Sequence, residues 1–331
     1  MRVKIRKLHT VMRKVLTTKH LSLSQAKEIA EVLLYAELSG KNTQGIIKFW
    51  GTEPVQDMVP QHEPKVIKET KLSTLIDGGR NSGILVSRIA TKTVIKKCKD
   101  SGFAIVGTNN VYASSGALGF YANEIAQHDF IGIVMSGTPK GVAPYGSIDK
   151  LVGINPIAFG FPTLSEPLIL DMATAAITWY GLVRAKIMGV KLPDDVAIDH
   201  EGNATNDPEK AMKGAIRTFG KDYKGSGLNL IIEMFTGPLV GAMSPAPDGK
   251  WYNGALFIAI DPDLLIGKEN LKKNSSLVIN KIKSSRVNND FQEIVMPGEK
   301  ALRARKKAES SGEIEIEDTL YADLLKLIGN R

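Results

Sequence analysis

At 331 residues, with 43% hydrophobic and 24% charged positions, the chain has the composition of a folded globular protein of about two domains, which excludes disordered, collagenous and coiled-coil classes. The formal net charge of +8 is scattered along a chain with only 6% aromatic residues. It therefore reads as a basic solvated surface and not as a nucleic-acid groove, which clusters Lys and Arg with stacking rings.

The basic start, Met1 to Lys7, is followed by no apolar core, so no secretory signal is read. No apolar run approaches the ~20 residues that cross a bilayer. The single cysteine, Cys98, leaves no disulfide framework and no multi-cysteine metal centre. The expected setting is cytoplasmic, with no metal, membrane or nucleic acid as partner.

Ser22-Leu23-Ser24-Gln25 has the spacing of a capping box, and Ile29, Val32, Leu33 and Ala36 then share one helical face up to Gly40. A polar loop, Lys41 to Gly45, leads into a short apolar stretch, and the segment from Gln56 to Pro64 reads as a connector. A strand at Ser73 to Asp77 ends in Gly78-Gly79. The pattern then predicts a helix at Gly83 to Ser101, a strand at Phe103 to Gly107, a helix at Gly116 to His128 and a strand at Phe130 to Met135.

This alternation of strand and helix is α/β in character. Leu168 to Leu170 reads as a buried strand ending at Asp171, and Asp199 to Pro208 as a loop. Gly227 to Met243 is apolar enough for a buried helix, and Ala255 to Ile260 is a strand stopped by Asp261-Pro262. Glu299 to Glu309 reads as a solvated helix, and Leu320 to Ile328 as the last helix.

Gly225-Ser226-Gly227 lacks the third glycine of a dinucleotide fingerprint, and no strand is followed by a complete one. A phosphate-binding loop and a nucleophile elbow are also missing. The five histidines, His9, His20, His62, His128 and His200, show no zinc-ligand spacing.

Four segments carry more information. They are Gly116-Ala117-Leu118-Gly119-Phe120-Tyr121-Ala122, Val142-Ala143-Pro144-Tyr145-Gly146, Gly153-Ile154-Asn155-Pro156-Ile157-Ala158-Phe159-Gly160 and Leu170-Asp171-Met172-Ala173-Thr174. Weaker matches are Asp199 to Asn203 with Thr205 to Pro208, Tyr223-Lys224-Gly225 and Met296-Pro297-Gly298-Glu299. In this order they resemble the type-2 malate/L-lactate dehydrogenase family.

The resemblance implies an α/β nicotinamide-binding fold that is not a Rossmann fold, with a helical domain made from both chain ends. Residues 1–72 and 290–331 would form that terminal domain. Residues 73–289 would form the α/β cofactor and substrate region, with room for two subdomains. It also implies NAD or NADP as cofactor, a small anionic substrate and a homodimer.

By the same resemblance, the cofactor would contact Ser136 and Thr138, the backbone at Asp171, Met172, Ala173 and Thr174, and Lys224-Gly225. The Pro297-Gly298-Glu299 turn would lie nearby. A loop leaving a strand end offers N–H groups to phosphates, and Lys224 adds a positive charge. Without the resemblance, Lys224 reads as a surface lysine, Asp171 as a strand end and Asn155-Pro156 as a turn beneath the sheet.

The departures from the family pattern fall at the chemistry. Its two acid/base histidines correspond to Gln44 and Ser114, its carboxylate-gripping arginine to Lys48, and the lysine of its Gly-Lys pair to Leu182. Gln44 donates a hydrogen bond but supplies no proton, and Lys48 keeps charge without the bidentate fork. Ser114 reads equally as the N-cap of the helix after Gly116, and Lys48 and Lys140 as surface charge.

Three functions stay open at this level. One is an NAD(P)H-dependent reductase of a C=N substrate that arrives protonated and is oriented by Lys48, Lys140 or Ser114. Another is a 2-hydroxy-acid dehydrogenase with Lys140 or Tyr145 as its acid. The third is a catalytically silent relative that binds a nucleotide or a protein partner.

Overall fold

The computed structural model describes the chain except residues 20, 51–52, 221, 243–252 and 330–331. Strand β1 (Arg2–Lys4) is followed by helices α1 (Ile5–Thr17) and α2 (Leu23–Leu38). The capping box forms: Gln25 N–H donates to Ser22 Oγ at 3.2 Å, and Ser22 N–H donates to Gln25 Oε1 at 3.0 Å. The inner faces of α1 and α2 bury Leu8, Met12, Ile29, Leu33 and Ala36.

Next come β2 (Lys65–Glu69), β3 (Ser73–Asp77), α3 (Gly83–Ser101), β4 (Phe103–Val111), α4 (Leu118–Ala126) and β5 (Ile131–Ser136). After them lie β6 (Val142–Ala143), β7 (Ile157–Phe161), β8 (Leu168–Met172), α5 (Trp179–Met188), β9 (Ala197–Ile198), α6 (Pro208–Lys213) and β10 (Ala215–Arg217). The chain closes with α7 (Tyr223–Thr236), β11 (Asn253–Ile260), α8 (Lys268–Lys283), α9 (Glu299–Ser311), β12 (Glu313–Glu315) and α10 (Asp318–Gly329).

A seven-stranded sheet in the order β2-β3-β4-β11-β5-β7-β8 organises the molecule. Only β3 and β4 pair in parallel; every other neighbouring pair in it is antiparallel. The central strand β11 splits β4 from β5 although α4 connects those two directly. Such a sheet cannot be a doubly wound Rossmann sheet, whose strands run parallel.

Side chains of β11 alternate between two cores, as strand geometry requires. Ala255, Phe257 and Ala259 join α1 to α4 and α10 in the larger core, whereas Leu256 and Ile258 pack with Ile232 of α7 on the opposite face. The larger core runs without a break from Val3 and Leu8 through Val86 and Tyr121 to Leu324. A small sheet, β6-β10-β9, has a third core with Val142, Leu182, Ala185 and Ile216. The chain ends meet where β1 pairs with β12 and the Met1 amino group donates to Ile316 O at 2.8 Å.

Three expectations are corrected. The helix after Gly116 starts at Leu118 with Ala117 at its N-cap and no side-chain cap, so Ser114 does not cap it. The strand ending the sheet, β8, is half-exposed along its length because it is an edge strand, and it continues to Met172. Helix α7 starts earlier than its apolar run and stops at Thr236, and it is not buried all round: Leu230, Ile231, Met234 and Phe235 face outward. Met243, taken as the end of that helix, lies outside the described residues. Strands β2 and β7 and helix α8 had no assignment from sequence pattern.

Candidate active site

The site begins at the end of α2. Glu37 is buried, and its Oε1 accepts the Ile46 N–H at 2.5 Å. A Cβ at residue 45 would lie 2.1 Å from that oxygen, so only glycine lets the chain close on the carboxyl. Burial pushes Glu37 up to about 7, the backbone hydrogen bond opposing the shift. The polar loop becomes two short 3-10 turns, Asn42–Gln44 and Ile46–Phe49, which carry Gln44 and Lys48 into one cavity.

Four other pieces of chain close that cavity, which has a volume of about 430 Å³. They are the 113–118 segment before α4, the 137–141 turn after β5, Asp171-Met172-Ala173 at the end of β8, and Thr178-Trp179-Tyr180 at the start of α5. The volume lies in the range of small-molecule sites. Gln44, Lys48, Ser114 and Lys140 all line it, as do Thr138, Asp171, Met172 and Ala173. None of its lining residues is a histidine.

Ser114 Oγ donates to Gln44 Oε1 at 3.5 Å and accepts the Gly116 N–H at 3.1 Å. Asp171 Oδ2 accepts the Gly119 N–H at 2.9 Å and is also bonded by the Lys41 ammonium. A Cβ on Gly119 would sit 2.9 Å from this same oxygen. The two sequence segments around Gly119 and Asp171 therefore meet at one carboxylate, which the sequence spacing does not reveal.

Lys48 is only 5% exposed, and its Nζ lies 3.9 Å from the centroid of the Tyr180 ring. The ring face offers the cation a quadrupole but no acceptor atom. Burial pulls Lys48 down to about 7, with the charge of Glu53 opposing. Burial also raises Glu53, against the nearby charges of Arg80 and Lys48. The Tyr180 hydroxyl donates to Trp50 O at 3.2 Å.

Other expected residues stand elsewhere. Ser136 is buried behind the cavity wall and its Oγ accepts from Ser115 Oγ at 2.9 Å. Thr174 is fully buried; Oγ1 donates to the carbonyls of Ile154 and Asn155 at 2.9 Å and accepts from Asn229 Nδ2 at 2.9 Å. Asn155, at φ +45, donates through Nδ2 to Glu233 Oε2 at 2.6 Å, so the Asn155-Pro156 segment is a buried turn tied to α7.

Lys224 is outside the cavity lining, with its side chain 74% exposed and Nζ 3.6 Å from Asp222 Oδ2. Gly225 packs so closely on the Phe219 carbonyl that a Cβ would lie 2.0 Å from the oxygen. Tyr145 lines a different cavity, beside Arg217 and Asp222. Leu182 is buried in the core of the small sheet. The Pro297-Gly298-Glu299 turn lines a third cavity, of about 700 Å³, which shares Lys41 and Asp171 with the first.

Lys41, Glu53, Trp179 and Tyr180 were missed as lining residues. Trp179-Tyr180, an aromatic pair shortly after the Asp171-Met172-Ala173-Thr174 segment, was the available signal. Glu53 stands in no motif.

A sequence profile of the malate/L-lactate dehydrogenase family matches residues 3–325. The chain belongs to this family. Membership makes it an oxidoreductase of the NAD(P)-dependent kind. L-Sulfolactate dehydrogenase from Methanocaldococcus jannaschii is 34% identical over 91% of this chain and 89% of its own length. The sulfolactate dehydrogenase structure from that organism superposes with a TM-score of 0.86, covering 99% of this chain and 97% of that one at 32% identity.

Two further relatives differ in chemistry by name. Ureidoglycolate dehydrogenase (NAD(+)) from Escherichia coli is 26% identical over 98% of this chain and 95% of its own length. Delta(1)-pyrroline-2-carboxylate reductase 1 from Burkholderia ambifaria is 29% identical over 79% of this chain and 80% of its length. The relatives thus carry the names of both dehydrogenases and a reductase.

Proposed function

We propose that the chain is an NAD(P)-dependent oxidoreductase of a small carboxylate, interconverting a 2-oxo acid with its 2-hydroxy acid or reducing the corresponding cyclic ketimine. The observation that carries this reading is the single cavity where Gln44, Lys48, Ser114 and Lys140 meet the Thr138 and Asp171-Met172-Ala173 wall. By the resemblance, Gln44, Lys48 and Ser114 correspond to the acid/base and carboxylate-binding positions of the family, and on this reading they take the place of its histidine pair and arginine.

The lining suits a nicotinamide dinucleotide. Leu118, Ile154, Pro156 and Met172 give an apolar wall for a flat ring, and Thr138 gives a hydroxyl beside it. The neighbouring larger cavity carries Lys283, Lys300, Arg305 and Lys306, of which Lys283 is paired with Glu299 and Lys306 with Glu166, so a polyphosphate there would displace these carboxylates. When bound, the cofactor supplies the hydride. Thr138 and the Asp171 to Ala173 backbone would hold it at the wall, with Lys41 tied to Asp171 between the two cavities.

The chain's own groups then orient the substrate. Lys140 attracts its carboxylate, and the Lys48 ammonium adds positive charge at the cavity wall beside it. Gln44, whose Oε1 accepts from Ser114 Oγ, offers its amide N–H groups to the reacting oxygen. Trp179 and Tyr180 exclude water from one side. A homodimer is part of the same reading, and the outward apolar face of α7 supports it.

Fluorescence titration with NADH and NADPH tests the cofactor. Quenching or enhancement that saturates is expected, and the absence of binding by either would remove the reading. Turnover of a panel of 2-oxo acids against cyclic ketimine carboxylates then decides between the two substrate types.

A further inference from the structure

Reduction of a carbonyl requires a proton as well as a hydride, and the cavity must provide it. Its lining contains no histidine. The remaining titratable groups are Lys41, Lys48, Lys140, Glu53, Asp171 and Tyr180. Lys41 and Asp171 are bonded to each other. The Tyr180 hydroxyl is turned to the Trp50 carbonyl, and burial raises its pKa. Ser114 spends its hydroxyl proton on Gln44.

Lys48 differs from Lys41, Asp171 and Tyr180. It is buried at the cavity wall, its cation rests on a ring face, and no carboxylate lies within 4.0 Å of Nζ among the described residues. A lysine held like this has donors that point to no fixed acceptor, which leaves them for a ligand.

We propose that Lys48 is the proton-transfer residue of this cavity. The inference rests on the oxidoreductase reading above. As hydride from NAD(P)H forms the new C–H bond, the π pair of the substrate C=O moves to oxygen. That oxygen bonds a proton from the Lys48 ammonium, which is left as a neutral amine and is reprotonated from solvent. In the oxidation direction the neutral amine takes the hydroxyl proton as hydride departs.

The surroundings suit the task. Burial brings Lys48 down to about 7, so both its forms are populated near neutral pH, where a general acid/base works best. Glu53, on the chain just after Lys48, opposes that shift. The other groups packed about this turn are Tyr180 and Arg184 of α5, Glu37 of α2, Arg80 and Tyr112 beside Glu53, and Glu317 and Asp318 at the start of α10. Arg184 is paired with Glu317 at 3.0 Å, and Asp318 is bonded to the Met1 amino group, so neither acid is directed at Lys48. Binding of an anionic substrate raises the lysine's proton affinity, so the substrate charges the acid that it then uses.

Two measurements on the full-length protein test this. The first is acylation of intact protein by acetic anhydride at pH 5 to 11, with the Lys48 peptide followed by mass spectrometry. The rate is expected to turn on with a midpoint near 7, well below the midpoints of exposed lysines. A Lys48 midpoint near 10 would overturn the proposal. This readout does not depend on cofactor or turnover, whereas the NAD(P)H titration judges the oxidoreductase reading by itself.

The second is steady-state turnover of a 2-oxo acid by Lys48→Met, Lys48→Arg and Glu53→Gln. Lys48→Met should lose about 10²- to 10⁴-fold in kcat, the usual span for general acid/base catalysis. Lys48→Arg keeps the charge but gives up no proton, so it should preserve KM within a few fold and lose kcat. Wild-type reduction should fall as pH rises through 7, oxidation should rise, and Glu53→Gln should move both limbs to lower pH. Full kcat in Lys48→Arg, an unmoved pH profile, or turnover of cyclic ketimines with none of 2-oxo acids would each overturn the assignment. Absence of NAD(P)H binding would sink it together with the reading it rests on.

Discussion

The Ile46 N–H donates to Glu37 Oε1 at 2.5 Å, and this bond sets the angle between the turn that carries Gln44 and the turn that carries Lys48. Gly45 makes the approach possible. Gly45→Ala is expected to cost about 1–3 kcal/mol, the usual penalty of overpacking. It should also lower kcat, because both polar groups ride on the same backbone. Denaturant unfolding and steady-state kinetics measure the two effects; unchanged stability would mean that the Glu37 side chain swings aside freely.

Glu37 and Lys48 give opposite dependences of stability on pH. The folded pKa of Glu37 is raised from 4.5 to about 7. Its carboxyl therefore costs nothing below about 4.5, and stability is lost as pH rises through 7. Glu37→Gln keeps an acceptor for Ile46 and should raise the melting temperature at pH 8 but not at pH 4. A gain of equal size at both values would show that charge is not the cause.

For Lys48 the folded pKa is depressed from 10.5 to about 7. The cost of burying the ammonium is full below 7 and disappears as pH rises through the unfolded value. Lys48→Met should melt a few degrees higher than wild type at pH 6, with the gain shrinking towards pH 10. The variant that is expected to lose most of its turnover is thus expected to be the more stable protein. A melting temperature below wild type at pH 6 would contradict this account.

Lys224 stands apart from the cavity lining, yet its resemblance to a phosphate-contacting lysine remains a testable expectation. Charge reversal in Lys224→Glu should weaken NADH or NADPH binding by about tenfold or more, since one charge-assisted bond is worth about 1.5–3 kcal/mol. Binding within twofold of wild type would remove Lys224 from the cofactor's contacts and leave it paired with Asp222 only.

Helix α7 exposes Leu230, Ile231, Met234 and Phe235 on one side. Sedimentation velocity at micromolar concentration should give twice the chain mass, and Ile231→Glu with Phe235→Glu should return the monomer. A wild-type monomer would leave that face without a second copy.

Local signals were readable where one element's own residues decide the outcome. The Ser22 box, the 73–77 strand and the 83–101 helix follow from capping, alternation and period. Partner choice between strands was not readable, because β11 reaches its place between β4 and β5 from far along the chain. Gln44, Lys48 and Ser114 were singled out by resemblance, and the fold brings them to one cavity. The properties of Lys48 were not: its altered proton affinity comes from burial against Tyr180, residues away in sequence and adjacent only in the fold. Apolar composition likewise could not separate a helix buried all round from α7, which covers the sheet with one face.

The position of β11 also governs when this protein can fold. Until residue 260 has been synthesised, β4 and β5 have nothing to pair with on their facing edges. The cavity wall after β5 therefore cannot be set while the first 250 residues leave the ribosome. Closing the sheet joins segments more than a hundred residues apart, a topology that slows folding. The last strand, β12, then ties residue 315 to the second residue, so a chain interrupted near its end loses a fastening at its beginning.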